Sequence, residues 1–384
     1  MNAPRLEIDL VKLGHNARTL VNLLSHHGIS VSAVTKGVLG RPDVARELLK
    51  AGVTGLADSR IENIQTLHFA GVVAPMTLIR SPMVSQAALV VRHADFSLNT
   101  ELDVISELSK AAQSAGRSHG VLLMVELGDL REGIMPGDLE NVVRRVLCFP
   151  NITLRGIGTN LACRSGVVPD AVNMGELSRL ADAIDATFGP VLSVISGGNS
   201  SNLEWALGGG DTGRINNLRL GEAILLGCQP LHRRPIEGLH TDVFSLVAEV
   251  IEAGSKPSRP WGDIAETAFG AAPPEEKHTS DPNGTISQAI LALGEMDVDP
   301  AGLTPPQGID ILGSSSDHLV VDAGQTGLKV GAEVAFQVNY SALIRAMASP
   351  FVTKLANSVP YPNSFDAFPQ KRPAASEGRS FTPV

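Results

Sequence analysis

The chain has 384 residues, 43% of them hydrophobic and 18% charged, with a formal net charge of −9. That acidic balance gives no basic footprint for a phosphate backbone, which argues against nucleic acid as a partner and leaves small molecules as the default. No run approaches the roughly 18 apolar residues of a membrane span, and MNAPRLEIDL at the start mixes charge with apolar residues and has no small-residue cleavage site. Three scattered cysteines, Cys148, Cys163 and Cys228, match no paired metal spacing and suit a reducing compartment, so the expected location is the cytoplasm.

Short β-branched or apolar runs recur along the first part of the chain: VSAVT from Val31, VTGLA from Val53, MTLIR from Met76, DFSL from Asp95, VLLMVEL from Val121, ITLRGIG from Ile152, VLSVIS from Val191 and NLRLG from Asn217. Segments of helical period lie between most of them. In RPDVARELLKAG, Pro42 suits a first helical turn and Gly52 a stop. Eight strands alternating with helices predict a (β/α)₈ barrel, with a doubly wound open sheet as the structural alternative. After about Pro235 the runs DVFSLVAEVIEA, TISQAILALG, HLVVDAG and GAEVAFQVNY show little helical period, which predicts a second, mainly β domain. The expected organisation is a barrel over 8–232, with a first strand at about 5–10 that can pair with the β domain, and that domain over 235–358. A Pro-, Gly- and charge-rich excursion interrupts it at 255–284, and a weakly ordered tail follows at 359–384.

Lys36 ends the first barrel strand, on the face where such barrels carry their chemistry. An amine there can form a Schiff base when its surroundings make the neutral form accessible, although an ordinary solvated strand-end lysine reads the same way. Two later stretches add weight. SGGNSSNL offers Gly197 and Gly198 for close backbone approach and Asn199, Ser200 and Ser201 as donors, which suits a phosphate or, more simply, a capped turn. RLGEAILLG supplies a second glycine turn after the eighth strand, and barrels often bind phosphate with the loops after strands seven and eight. Arg219 just before that turn can face a heterocyclic nitrogen or simply carry a salt bridge. Together these features point to pyridoxal 5′-phosphate.

The motifs AVTKG, VELGDLREGIMP, GIGTNLAC, SGGNSSNL, NLRLGEAILLG and GSSSDHLVVDAG occur in an order that resembles the alanine racemase fold, type III among pyridoxal phosphate enzymes, and its ornithine racemase branch in particular. The resemblance runs from EIDL to NYSALI and implies an alanine racemase-like (β/α)₈ barrel with a β domain. It also implies a homodimer in which the β domain of one copy closes the site of the other. By the same resemblance Lys36 would hold the cofactor and exchange protons at Cα on one face. Ser200 with the backbone around Gly221 and Glu222 would hold the phosphate, with Tyr340 contacting it and Asn199 and Ser201 in support. Arg219 would pair with the pyridine nitrogen and keep it unprotonated, which weakens the ring as an electron sink and favours reprotonation over side reactions. Asn160 stands where many relatives carry histidine, and Arg131 where relatives place an arginine near the substrate.

Several positions depart from that pattern. The tyrosine that serves the opposite face in alanine racemases is absent, because the matching stretch reads GEMD from Gly294 to Asp297. Glu295 is the first substitute by position, with Asp317 and His318 in SSSDHL behind it and Ser316 beside them as a substrate contact. Met124 replaces a modified lysine of some relatives, and Gly40 a tyrosine that helps hold the phosphate. A diamino acid carries a terminal ammonium that is costly to bury unpaired, and Glu295, Asp297 or Asp317 could supply its partner. The expected activity is therefore racemisation of a basic amino acid, ornithine or lysine, with alanine or serine left open by the residues alone. The rivals are a fold type III lyase such as a D-threonine aldolase-like enzyme, a non-catalytic carrier of the cofactor, and a metal-dependent barrel hydrolase. No metal site is expected.

Overall fold

The computed structural model describes residues 3–266, 269 and 284–358. A first strand, β1 (Arg5–Asp9), precedes eight strands that close into a parallel barrel: β2 (Ser30–Val34), β3 (Gly55–Asp58), β4 (Met76–Leu78), β5 (Phe96–Asn99), β6 (His119–Met124), β7 (Ile152–Gly158), β8 (Val194–Ser196) and β9 (Asn217–Leu220). Each falls on one of the eight runs marked by the sequence. The ring closes where β9 pairs with β2, Val31 opposite Leu218 and Ala33 opposite Leu220. An open doubly wound sheet is thereby excluded. The intervening helices form for the reasons the sequence supplies: Pro42–Lys50 begins on its proline, buries Val44, Ala45 and Leu48 against the barrel and stops at Ala51, just before Gly52.

The second sheet is mainly antiparallel. Its strands are β10 (Phe244–Pro257), β11 (Thr285–Leu291), β12 (Leu303–Thr304), β13 (Asp310–Ser314), β14 (Leu319–Asp322), β15 (Glu333–Val338) and β16 (Thr353–Asn357), in the order β12-β15-β10-β11-β14-β13. β1 belongs to this sheet, antiparallel to β10 and parallel to β16, so the two ends of the described chain are stitched together. Leu6 and Ile8 of β1 are fully buried with Phe244, Leu246 and Phe336, a core in which each such side chain contributes about 1.5–3 kcal/mol. The β10–β11 ladder starts at Pro257 opposite Thr285, so residues 255–257 of the expected excursion are strand. The rest of that excursion lies largely outside the described residues, and the tail 359–384 wholly so.

The helix Tyr340–Ala348 ties the halves together. It is capped by Asn339, whose side chain accepts from the Ala342 N–H at 3.0 Å, and it packs on the turn Lys36–Val38 that follows β2. Among the described residues no helix is long and apolar enough to cross a membrane.

Candidate active site

A cavity of about 590 Å³ opens at the carboxyl ends of the barrel strands, and Lys36 lines it. The lysine sits on a short 3₁₀ turn, Lys36–Val38, held from below by its neighbour. Thr35 donates through Oγ1 to Asp58 at 2.7 Å, and Asp58 also accepts from the Arg60 N–H and Asn63 Nδ2, both at 2.9 Å. Asp58 is fully buried, and desolvation pushes its carboxyl above the ordinary value despite those three donors. The turn leaves through Gly40 at φ +62°, where a Cβ would come within 2.8 Å of both Cβ and the carbonyl oxygen of Asn63. That close approach leaves no room for a tyrosine. Lys36 itself is exposed to the cavity, with no hydrogen-bond or ion-pair partner among the described residues.

The loops after β8 and β9 are tied to each other. Asn199 caps the turn Ser200–Asn202, accepting from the Ser201 N–H and hydroxyl at 2.8 Å each, while Asn202 accepts from the Asn199 N–H at 3.1 Å. This fixes Ser200, 2% exposed, with its hydroxyl accepting from the N–H groups of Gly221 at 3.3 Å and Ala223 at 3.2 Å. Tyr340 faces the same cavity, its phenol pushed up to about 12 by burial and secondarily by Asp58 and Cys163.

Arg219 points inward from β9 and is 5% exposed. Its guanidinium donates to the Ser196 hydroxyl, to the Thr159 carbonyl at 2.9 Å and, at 3.5 Å, to Asn160 Oδ1. Every acceptor is neutral, and desolvation pushes the group down to about 10. A buried cation without a carboxylate is an environment that a further acceptor or an anion improves. Asn160 also accepts from Asn199 Nδ2 at 3.1 Å, linking the two supports.

The structure therefore brings Lys36, Arg131, Asn160, Asn199, Ser200, Ser201, Arg219, Gly221, Glu222 and Tyr340 to one cavity, with Met124 in its wall. It does not bring Glu295, Ser316 or Asp317 there within the chain. Glu295 accepts from Ser314 at 2.8 Å and lies 3.8 Å from Arg345. Asp317 is exposed, its carboxyl held below the ordinary value by the Ser316 hydroxyl and by His318, each at 3.0 Å. Asp297 is buried, accepting from Ser349 at 3.0 Å and from the Gly294 N–H at 3.3 Å, so it anchors the GEMD turn rather than facing a ligand. Sequence reasoning missed Asp58, Arg80 and Glu132. The first two stand at or just past the ends of β3 and β4, so asking of every barrel strand what was asked of the first, seventh and eighth would have found them.

Residues 8–229 match the family described as alanine racemase, N-terminal domain. The chain belongs to this family. Among its relatives are an ornithine racemase from Acetoanaerobium sticklandii, 38% identical over 91% of this chain and 99% of the relative, and a lysine racemase from Thermotoga maritima, 37% identical over 92% and 98%. Of solved structures, an alanine racemase from Streptomyces lavendulae superposes with a TM-score of 0.72 at 18% identity, covering 93% of this chain and 98% of that one. A D-threonine aldolase from Filomicrobium marinum does so with 0.69 at 16% identity, covering 90% and 89%. At such identities the family's fold is what is shared. The protein is a racemase-family enzyme with that fold.

Proposed function

We propose that the protein is a pyridoxal 5′-phosphate-dependent racemase of a basic amino acid, ornithine or lysine. The observation that carries the reading is the meeting, in one cavity, of an unpartnered Lys36, a buried Arg219 without an anionic partner and the Ser200–Gly221 loop pair. Two relatives named for ornithine and lysine, each aligned over about nine-tenths of the chain, support the substrate class.

These residues fit the cofactor by the chemistry of their donors. The Ser200 hydroxyl, the backbone of Gly221 and Glu222 and the Tyr340 phenol would hold its phosphate, with Asn199 and Ser201 fixing that loop. Arg219 would donate to the ring nitrogen, and Asn160 would steer the guanidinium. When bound, the group supplies an electron-withdrawing ring that acidifies the Cα–H of an attached amino acid. Lys36 would attach it and move the proton at Cα on one face, and Arg131 would border the substrate. Racemisation needs a second group on the opposite face. Glu295, backed by Asp317 and Ser316, would supply it from a second copy of the chain, which makes the working unit a homodimer. Asp317 rather than Glu295 would then meet the substrate's terminal ammonium, since Glu132 and Glu222 are already paired with Arg131 and Arg233. All three cysteines are free thiols, which supports a cytoplasmic setting.

The test is optical rotation of L-ornithine and L-lysine, followed with the visible spectrum of the purified protein. The expected outcome is a band near about 420 nm that borohydride abolishes, with rotation decaying to zero. A band with steady rotation for every amino acid refutes the racemase, and no band after adding the cofactor refutes the site.

A further inference from the structure

Arg219 is held by a line of hydrogen bonds that runs on into the barrel and that none of the roles above employs. Its Nη2 donates to the Thr159 carbonyl at 2.9 Å and to Asn160 Oδ1 at 3.5 Å, whereas Nη1 finds its one acceptor among the described residues in the Ser196 hydroxyl. A guanidinium only donates, so the Ser196 oxygen accepts there and its single proton goes on to Asn217 Oδ1 at 2.8 Å. That leaves the Asn217 amide to donate to the hydroxyls of Ser30 at 3.2 Å and Ser32 at 3.1 Å. Strand register brings these groups together. Ser196 on β8 and Ser30 on β2 both lie opposite Asn217 on β9, and Ser32 lies opposite Arg219.

The inward positions of such a barrel are ordinarily filled by branched aliphatic side chains. Here small polar ones leave space. A second cavity, of about 210 Å³, is lined by Ser30, Ser32, Thr77, Ser196 and Asn217, and Arg219 lines both this cavity and the one that holds Lys36. The guanidinium therefore stands between two spaces, and the hydroxyls of the inner one offer Nη1 alternative acceptors. Ser196 is buried completely and Asn217 is 8% exposed, so water does not substitute freely for either.

Resting on the cofactor assignment above, we propose that Ser196 and Asn217 are positioning residues for Arg219, whose line of hydrogen bonds keeps the guanidinium at the Lys36 cavity and aimed at the cofactor's ring nitrogen. Each hydrogen bond in the line strengthens the next, so loss of either member weakens the hold on Nη1.

The test loads wild type, Ser196→Ala, Ser196→Thr and Asn217→Leu with pyridoxal 5′-phosphate isotopically labelled at its ring nitrogen, and records the magnetic resonance of that atom. In Ser196→Ala and Asn217→Leu the resonance should leave its wild-type position, downfield where the nitrogen loses its donor and upfield where it takes a proton instead. Ser196→Thr, which keeps the hydroxyl, should restore it. With L-ornithine, kcat should fall about 10- to 100-fold in Ser196→Ala while KM changes less than about 3-fold. A wild-type resonance in Ser196→Ala would overturn the proposal even if the urea midpoint fell, since a serine that only supports the barrel moves the midpoint alone. A resonance displaced as far in Ser196→Thr as in Ser196→Ala would overturn it too. Should Asn217→Leu fail to fold, the two Ser196 variants decide. Wild-type optical rotation separates this inference from the racemase. Decaying rotation with an unmoved resonance in Ser196→Ala sinks the positioning role alone, steady rotation with a displaced one sinks the racemase alone, and a wild type that takes up no cofactor sinks both.

Discussion

Lys36 and Asp58 lie at the ends of adjacent strands and have opposite duties. The lysine makes no bond within the protein, so removing it should leave the fold untouched. In Lys36→Ala, urea unfolding of the cofactor-free protein should shift by less than about 0.5 kcal/mol, whereas turnover should fall at least about a thousand-fold. Asp58 never touches the cavity, yet it gathers Thr35, Arg60 and Asn63 around the turn that presents the lysine. Asp58→Ala removes the shared acceptor from a buried threonine hydroxyl, which keeps only the Ala57 carbonyl at 3.3 Å, and from two part-buried donors, and the same urea measurement should show a loss of about 1–3 kcal/mol. If Asp58→Ala proves as stable as the wild type, the turn is held by the Tyr340–Ala348 helix instead.

At the level of elements, the β5–β6 pair carries a buried titratable group on the face turned to the helices, the side on which Val121 and Leu123 pack against Ile105 and Val143. His119 is 1% exposed, with Nε2 2.8 Å from the Ser97 hydroxyl, which also receives Asn99 Nδ2 at 2.9 Å. Burial pushes its pKa down to about 4. Between about pH 6.5 and 4 the unfolded chain therefore binds a proton that the folded one does not, so stability falls as pH falls through that window. Urea midpoints at pH 7 and 4.5 should show the wild type losing about 2 kcal/mol more than His119→Gln, which cannot titrate. Elements such as β5 and β6 were legible because each is a short apolar run followed by a helix with its own start and stop. β16 was not: TKLAN has no alternation to read and becomes a strand by lying beside β1, at the other end of the chain. The helix Tyr340–Ala348 was also missed, since its apolar residues continue the strand-like run that precedes it. The site divides the same way. Lys36, Ser200 and Arg219 stand in motifs, whereas Asp58 matters through the donors that surround it, which no spacing encodes.

For the whole molecule, the question is which chain supplies the second acid. Gly294 lies so close to the SSSDHL loop that a Cβ there would come within 2.4 Å of the Asp317 nitrogen and the Ser316 carbonyl oxygen. Glu295 and Asp317 are thus carried as one unit, and that unit does not line the cavity of its own chain. If it completes the site of a second copy, two crippled chains can repair each other. Lys36→Ala and Glu295→Gln should each be nearly inactive alone. In a hybrid dimer one site collects both substitutions and the other neither. Hybrids isolated through two different tags should then show about half the wild-type activity per dimer. A hybrid with no more activity than either parent would place Lys36 and Glu295 in the same chain's site, whereas a Glu295→Gln parent as fast as wild type would remove Glu295 from catalysis.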